Sequence, residues 1–189
     1  NGIGIFSTKT VGDVHGIKIE APLFNIAKGG HRTFQVKAYD KNYNLVDIDQ
    51  SQVKWSVSND LGYFNGNVFT ANNSGIGEVT ASYGKFKASQ EIRILKDNVM
   101  LSIEPGRIHI NPGAKSVFQV FATDSQGFKA LLDPIDITWE IKGDIGTINK
   151  NEFLANKSGS GAVIANFSGL KTGALVLVGY NKVLVDEFE

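Results

Sequence analysis

Val53-Lys54-Trp55-Ser56-Val57 occurs twice in this chain, the second time as Ile137-Thr138-Trp139-Glu140-Ile141. Apolar and polar residues alternate in both, the period of a half-buried β-strand. The two centres are the only tryptophans of the chain, and they stand 84 residues apart. The same offset carries Ile19, Phe34, Val36 and Ala38 onto Ile103, Phe118, Val120 and Ala122. It also carries Gly62, Phe69, Ala71, Gly75, Gly77, Val79 and Ala81 onto Gly146, Phe153, Ala155, Gly159, Gly161, Val163 and Ala165. Roughly two dozen of about 79 aligned positions are identical, concentrated on apolar faces and turn glycines, so one core is specified twice.

Working outward from Trp55, each copy predicts seven short strands. Ile17-Lys18-Ile19-Glu20 is strand A, and Pro22 interrupts it as suits an edge or a bend. Gly29-Gly30 turns the chain into strand B, Thr33–Tyr39, with Phe34, Val36 and Ala38 on one face. A polar loop from Asp40 to Asp49 leads to strand C at Val53–Val57. Gly62–Phe64 and Val68–Ala71 give D and E around Asn65-Gly66-Asn67, Val79–Tyr83 gives F, and Phe86–Ile94 gives G. Gly75-Ile76-Gly77 and Gly159-Ser160-Gly161 are read as E–F turns. They open no helix, so a nucleotide-phosphate loop is set aside.

Seven strands at this spacing, with no helical period, predict an all-β chain of two tandem immunoglobulin-like antiparallel β-sandwiches. The expected divisions are residues 1–16 as a linker or the end of a preceding domain, 17–96 and 97–179 as the two sandwiches, and 180–189 as a linker or the start of a following module. Ile3, Ile5 and Phe6 suggest a short strand before the first copy. The chain does not begin with Met and is read as a piece of something longer. Lys96-Asp97-Asn98 is a short hinge, and Trp55 and Trp139 are expected to anchor the two cores.

Nineteen basic residues balance nineteen acidic ones, which makes nucleic acid and anionic membrane poor partners. No cysteine is present, so disulfides, zinc–thiolate sites and cysteine nucleophiles are excluded. No apolar run reaches the roughly 18–20 residues of a membrane helix.

Oxygen donors at alternate positions from Asp40 through Asn42 and Asn44, followed by Asp47 and Asp49, resemble the start of a calcium loop. The sixth position is Leu45 rather than Gly and the twelfth is Ser51 rather than Glu, so a plain loop is the preferred reading and no metal site is assigned. His15, His31 and His109 form no pair at ligand spacing and are expected at solvated or strand-edge positions. Glu20 and Glu104 are equivalent strand A positions. Asp60 and Asp144, also equivalent, are expected to cap turns. No catalytic residue and no cofactor is assigned. Tyr39, Tyr43 and Tyr63 are the candidate ligand contacts, because an exposed aromatic patch is the kind of surface that stacks on sugar. Their equivalents Thr123, Gly127 and Thr147 confine such a platform to the first copy.

The strand B run Phe34–Asp40, the tryptophan strands, Gly62-Tyr63-Phe64, Gly146-Thr147-Ile148, and the closing Phe69-Thr70-Ala71…Ser74–Ala81 and Phe153-Leu154-Ala155…Ser158–Gly161 carry a resemblance. They resemble the bacterial immunoglobulin-like domains of the group 2 type found in secreted and cell-wall proteins. The family's closing pattern is loosened by one extra residue between Ala71 or Ala155 and the glycines. Asn1–Ser7 is similar to the end of the catalytic domain of bacterial phosphodiester glycosidases, the family related to the enzyme that uncovers mannose-phosphate tags. Val185–Glu189 is similar to the opening strand of a sugar-binding β-sandwich that follows such repeats. None of the glycosidase family's catalytic residues falls in the chain.

These resemblances imply a non-catalytic, monomeric spacer in an extracellular or cell-wall protein. It would join a phosphodiester glycosidase-like domain to a downstream wall- or sugar-binding domain, with flanking domains of the same polypeptide as its partners. The alternative expectation is an adhesin-like module whose first-copy loops bind cell-wall polysaccharide or another surface.

Overall fold

The computed structural model of the protein describes residues 14–179. The expectations for the segments before and after them, including the strand at Ile3–Phe6 and the following-module strand, lie outside the described residues.

The first half contains β1 (Gly16–Glu20), β2 (Asn25–Ile26), β3 (His31–Thr33), β4 (Gln35–Tyr39) and β5 (Leu45–Val46). It continues with β6 (Lys54–Val57), β7 (Gly62–Asn65), β8 (Val68–Ala71), β9 (Gly75–Tyr83) and β10 (Phe86–Ile94). The second half repeats the series as β11 (Met100–Glu104), β12 (Arg107–Ile110), β13 (Lys115–Val117), β14 (Gln119–Thr123) and β15 (Lys129–Leu131). Its remaining strands are β16 (Thr138–Lys142), β17 (Gly146–Asn149), β18 (Glu152–Ala155), β19 (Gly159–Phe167) and β20 (Leu170–Val178). Strand orders β1-β4-β5, β2-β10-β9-β6 and β3-β8-β7 recur as β11-β14-β15, β12-β20-β19-β16 and β13-β18-β17. The chain is an all-β sandwich built mainly of antiparallel pairs.

Strand A is interrupted at Pro22, as expected, and strand B, expected to be single, is divided. At Pro22, which has no N–H to give a ladder, the chain leaves β4 and crosses to run parallel to β10 as β2. Strand B breaks at Phe34, whose N–H donates to the Asn67 carbonyl (2.9 Å) and whose carbonyl accepts from Asn67 Nδ2 (3.0 Å). Asn151 repeats both bonds at Phe118 (2.9 and 3.1 Å). One asparagine thus carries strand B from pairing with β8 to pairing with β1.

The glycine pairs expected as turns lie inside strands. Gly75 and Gly77 belong to β9, and Gly159 and Gly161 to β19. Gly77 and Gly161 serve close approach: a Cβ on Gly161 would sit 2.2 Å from the Lys142 carbonyl oxygen, and one on Gly77 would sit 2.7 Å from Leu61 Cδ1.

The centres of the cores are phenylalanines. Phe34, Phe69, Phe118 and Phe153 are fully buried, whereas Trp55 and Trp139 are half-buried and pack against the clusters from the side. Trp55 lies nearly parallel to Phe64 (5.4 Å, 18°), and Trp139 Nε1 is buried with no partner among the described residues. One apolar cluster is drawn from the first half alone; the other takes Ala27 and Leu95 from the first half into the core of the second.

Candidate functional site

Of the three tyrosines, two meet. Tyr39 ends β4 and its ring lies across Gly16, where any Cβ would be 2.3 Å from the ring. Tyr43 stacks on it (5.6 Å, 17°) and is 82 % exposed. Tyr63, 55 % exposed, pairs with Thr70, which pairs with His31 at the other end of strand B. Eight residues of strand separate His31 from Tyr39, about 26 Å at ~3.3 Å per residue, so Tyr63 forms no platform with the other two. Tyr43 holds a left-handed φ of 64°, where the equivalent Gly127 has φ 85°. The first half places an aromatic where the second has the residue that tolerates this backbone without strain.

The aspartates beside this pair are occupied by their own loops. Asp40 Oδ1 accepts from the Asn42 (2.8 Å) and Asn44 (3.0 Å) amides, and Oδ2 accepts from Asn44 Nδ2 (3.1 Å). Asp49 accepts from Ser51 N (3.0 Å) and Oγ (2.7 Å) and caps the 3-10 turn at Gln50–Gln52. Asp124 and Asp133 repeat these roles. Among the aspartates of the described residues, turn capping thus falls to these four. The two aspartates expected to do it lie elsewhere: Asp60 meets the side chain of Asn73, and Asp144 pairs with Lys157 (2.8 Å).

The Asn44 side chain first, then its amide and that of Asn42, hold the Asp40 carboxyl below its ordinary range. With the folded value below the unfolded one, the contribution to stability is complete above the unfolded value and is lost as pH falls through the folded one. A carboxyl-carbon NMR titration should place Asp40 below the ordinary aspartate range. Titration at or above that range would contradict the capping geometry.

The densest polar constellation joins the two halves. Asn25 Nδ2 donates to the Lys129 carbonyl (3.0 Å), Lys28 pairs with Asp97 (3.1 Å), and the Arg93 guanidinium lies over the Phe128 ring (3.8 Å). His31 donates its backbone N–H to Asp136 Oδ2 (2.7 Å) and places Nδ1 2.5 Å from Oδ1. Arg32, 3 % exposed, donates Nη2 to the Leu131 carbonyl. Burial pushes the Arg32 pKa down, and the charges of Asp133 and Asp136 push it back up. On the linker, Lys96 N–H donates to Asp124 Oδ2 (3.5 Å) and Ser74 Oγ donates to the Leu95 carbonyl (2.7 Å).

His31 does lie on an edge strand, β3, with its side chain 36 % exposed, but its contact across the joint, and the roles of Arg32, Arg93, Phe128 and Asp136, were not legible. The signal that would have found them is departure from the repeat: their equivalents are Ser116, Leu177, Asn44 and Gln52. The equivalent glutamates are partners of surface lysines, Glu20 with Lys37 (2.8 Å) and Glu104 with Lys129 (2.7 Å).

No family model and no curated protein matches the chain. Among solved structures, it is similar to the surface layer protein SbsC, domains 1–6, at 15 % identity and a TM-score of 0.39, covering 89 % of this chain and 28 % of that one. SbsC domains 4 and 5 are matched at 15 % identity and a TM-score of 0.39, over 87 % of this chain and 98 % of that one. The Yersinia pseudotuberculosis adhesin InvE is matched at 14 % identity and a TM-score of 0.35, over 87 % of this chain and 59 % of that one.

Proposed function

We propose that residues 17–96 and 97–179 are two immunoglobulin-like domains acting together as a stiff, non-catalytic spacer in an extracellular or cell-wall protein. The observation that carries this reading is the joint. A buried arginine, a two-point His31–Asp136 contact, the Arg93–Phe128 stack and a shared apolar core span the junction. A three-residue linker alone would limit reach; these contacts also resist rotation. Their place at the junction, where the copies depart from their common pattern, supports a joint selected for one geometry. In the whole protein the spacer holds a phosphodiester glycosidase-like domain away from a wall- or sugar-binding domain, a reading supported by the residues at Asn1–Ser7 and Val185–Glu189.

The chain lacks cysteine, so Lys87→Cys and Lys171→Cys introduce unique labels at equivalent exposed positions of the two halves. Electron–electron distance measurements between spin labels there should give one narrow distribution. A broad or multimodal one would overturn the spacer reading.

A further inference from the structure

Where the chain leaves β4 at Ala21-Pro22 and rejoins a sheet only at β2, the side of the first half opens into a groove of about 760 Å³. Small-ligand sites fall between about 300 and 1,000 Å³. Ala21, Pro22 and Phe24 supply its apolar surface. Phe24 stacks on Phe34 behind it (6.5 Å, 30°), so that surface is backed by the core.

Thr33, Gln35 and Gln90 supply the polar rim, with Lys18 and Glu20 at its edge. Glu20 is paired with Lys37, and Gln90 Nε2 donates to the Glu91 carbonyl (3.1 Å). The Thr33 hydroxyl and the Gln35 amide have no partner among the described residues. The duplication is an internal control on whether the fold needs this rim. At the equivalent positions, Thr33 becomes Val117, Gln90 becomes Ala174 and Lys18 becomes Ser102, and the same strand order forms. The fold therefore does not require these polar groups.

We propose that this groove is a saccharide-binding site. A hydroxyl and two carboxamides offer donors and acceptors together, and an aromatic-backed apolar surface lies between them. A pyranose presents the matching chemistry, with hydroxyls around its rim and C–H groups on one face. The site is separate from the Tyr39–Tyr43 stack and independent of the spacer reading.

The test is a ¹H–¹⁵N NMR titration of the whole chain with chitotetraose, cellotetraose and muramidase-digested peptidoglycan. Saturable shifts are expected at the amides of Ala21, Phe24, Thr33, Gln35 and Gln90 with at least one of the three. The double variant Thr33→Val with Gln90→Ala installs the second half's residues, which the fold accepts there. It should weaken binding about tenfold or more through the loss of two hydrogen-bonding groups, with an unchanged urea midpoint. Tyr43→Gly should leave the affinity unaltered. The proposal is overturned if no probe gives saturable shifts, if the shifts centre on Tyr39–Leu45, or if the double variant binds as the parent does.

Discussion

Truncating Phe34 to alanine is expected to lower the stability of the first half by about 3–5 kcal/mol, the range for deleting a fully buried phenylalanine. Phe34 is wholly inaccessible and touches four rings: Phe24 (6.5 Å), Trp55 (5.8 Å), Phe64 (5.7 Å) and Phe69 (6.4 Å). How much such a deletion costs depends on how far the surroundings collapse into the void. Here collapse is resisted twice. The Phe34 backbone is fixed by both of its bonds to Asn67, and the neighbouring rings are held on four different segments. The effect should therefore lie in the upper part of the range, a large share of the roughly 5–15 kcal/mol by which domains are stable. Urea unfolding in a Trp139→Phe background, where Trp55 is the only fluorophore of its kind, reads the first half directly. A loss below about 1.5 kcal/mol would show that the aromatic cluster repacks, contrary to the close-packed behaviour expected of cores.

Phe34 also shows what could be read from the residues. Its place on the inward face of strand B, and that of Phe118 84 positions later, follow from period-two alternation. So does the repeated strand order, since a duplicated apolar pattern specifies one core twice. The division of strand B at that same residue was not legible, because it rests on Asn67 and Asn151, which sequence alone presents as ordinary turn residues. The tryptophans were conspicuous by rarity, but rarity does not fix burial; a half-buried site on an outer strand suits a large ring with a polar N–H. Gly77 and Gly161 likewise carry a signal with two meanings. A glycine permits a positive φ or a close backbone approach, and only the positions of Leu61 and Lys142 decide between them. The joint was least legible. His31 and Arg32 lie about a hundred residues from their partners Asp136 and Leu131 in the chain, and no local pattern links the two sides. They announce themselves only as places where one copy ceases to match the other. The groove beside Phe24 was missed because Thr33, Gln35 and Gln90 look like solvated strand residues until the crossing at Pro22 brings them to one opening.

Replacing Asp136 with alanine is expected to loosen the joint and to cost about 2–5 kcal/mol. The carboxylate has 7 % exposure and accepts both the backbone N–H of His31 and a contact from its Nδ1. Removing it leaves the part-buried backbone N–H of His31 without its acceptor, at up to about 1–3 kcal/mol for such a group. It also removes one of the two charges that offset the desolvation of Arg32, whose Nε already lacks a partner among the described residues. Taking one member from a set of buried charges is the costly case, about 3–5 kcal/mol, because the remaining charge stays in a low-dielectric site uncompensated. Asp136→Asn separates the two contributions, since the carboxamide oxygen can still accept from His31 while the charge is gone. Arg32→Met is a further control: with no guanidinium left to compensate, Asp136→Ala in that background should cost markedly less than in the parent. The labels at positions 87 and 171 then report on geometry while thermal unfolding reports on stability. In Asp136→Ala the distance distribution should broaden, and in Asp136→Asn it should broaden less. An unchanged distribution in Asp136→Ala would mean that the apolar contacts of Ala27 and Leu95, together with the Arg93–Phe128 stack, are sufficient to set the angle between the halves. The polar joint would then contribute stability without directing orientation.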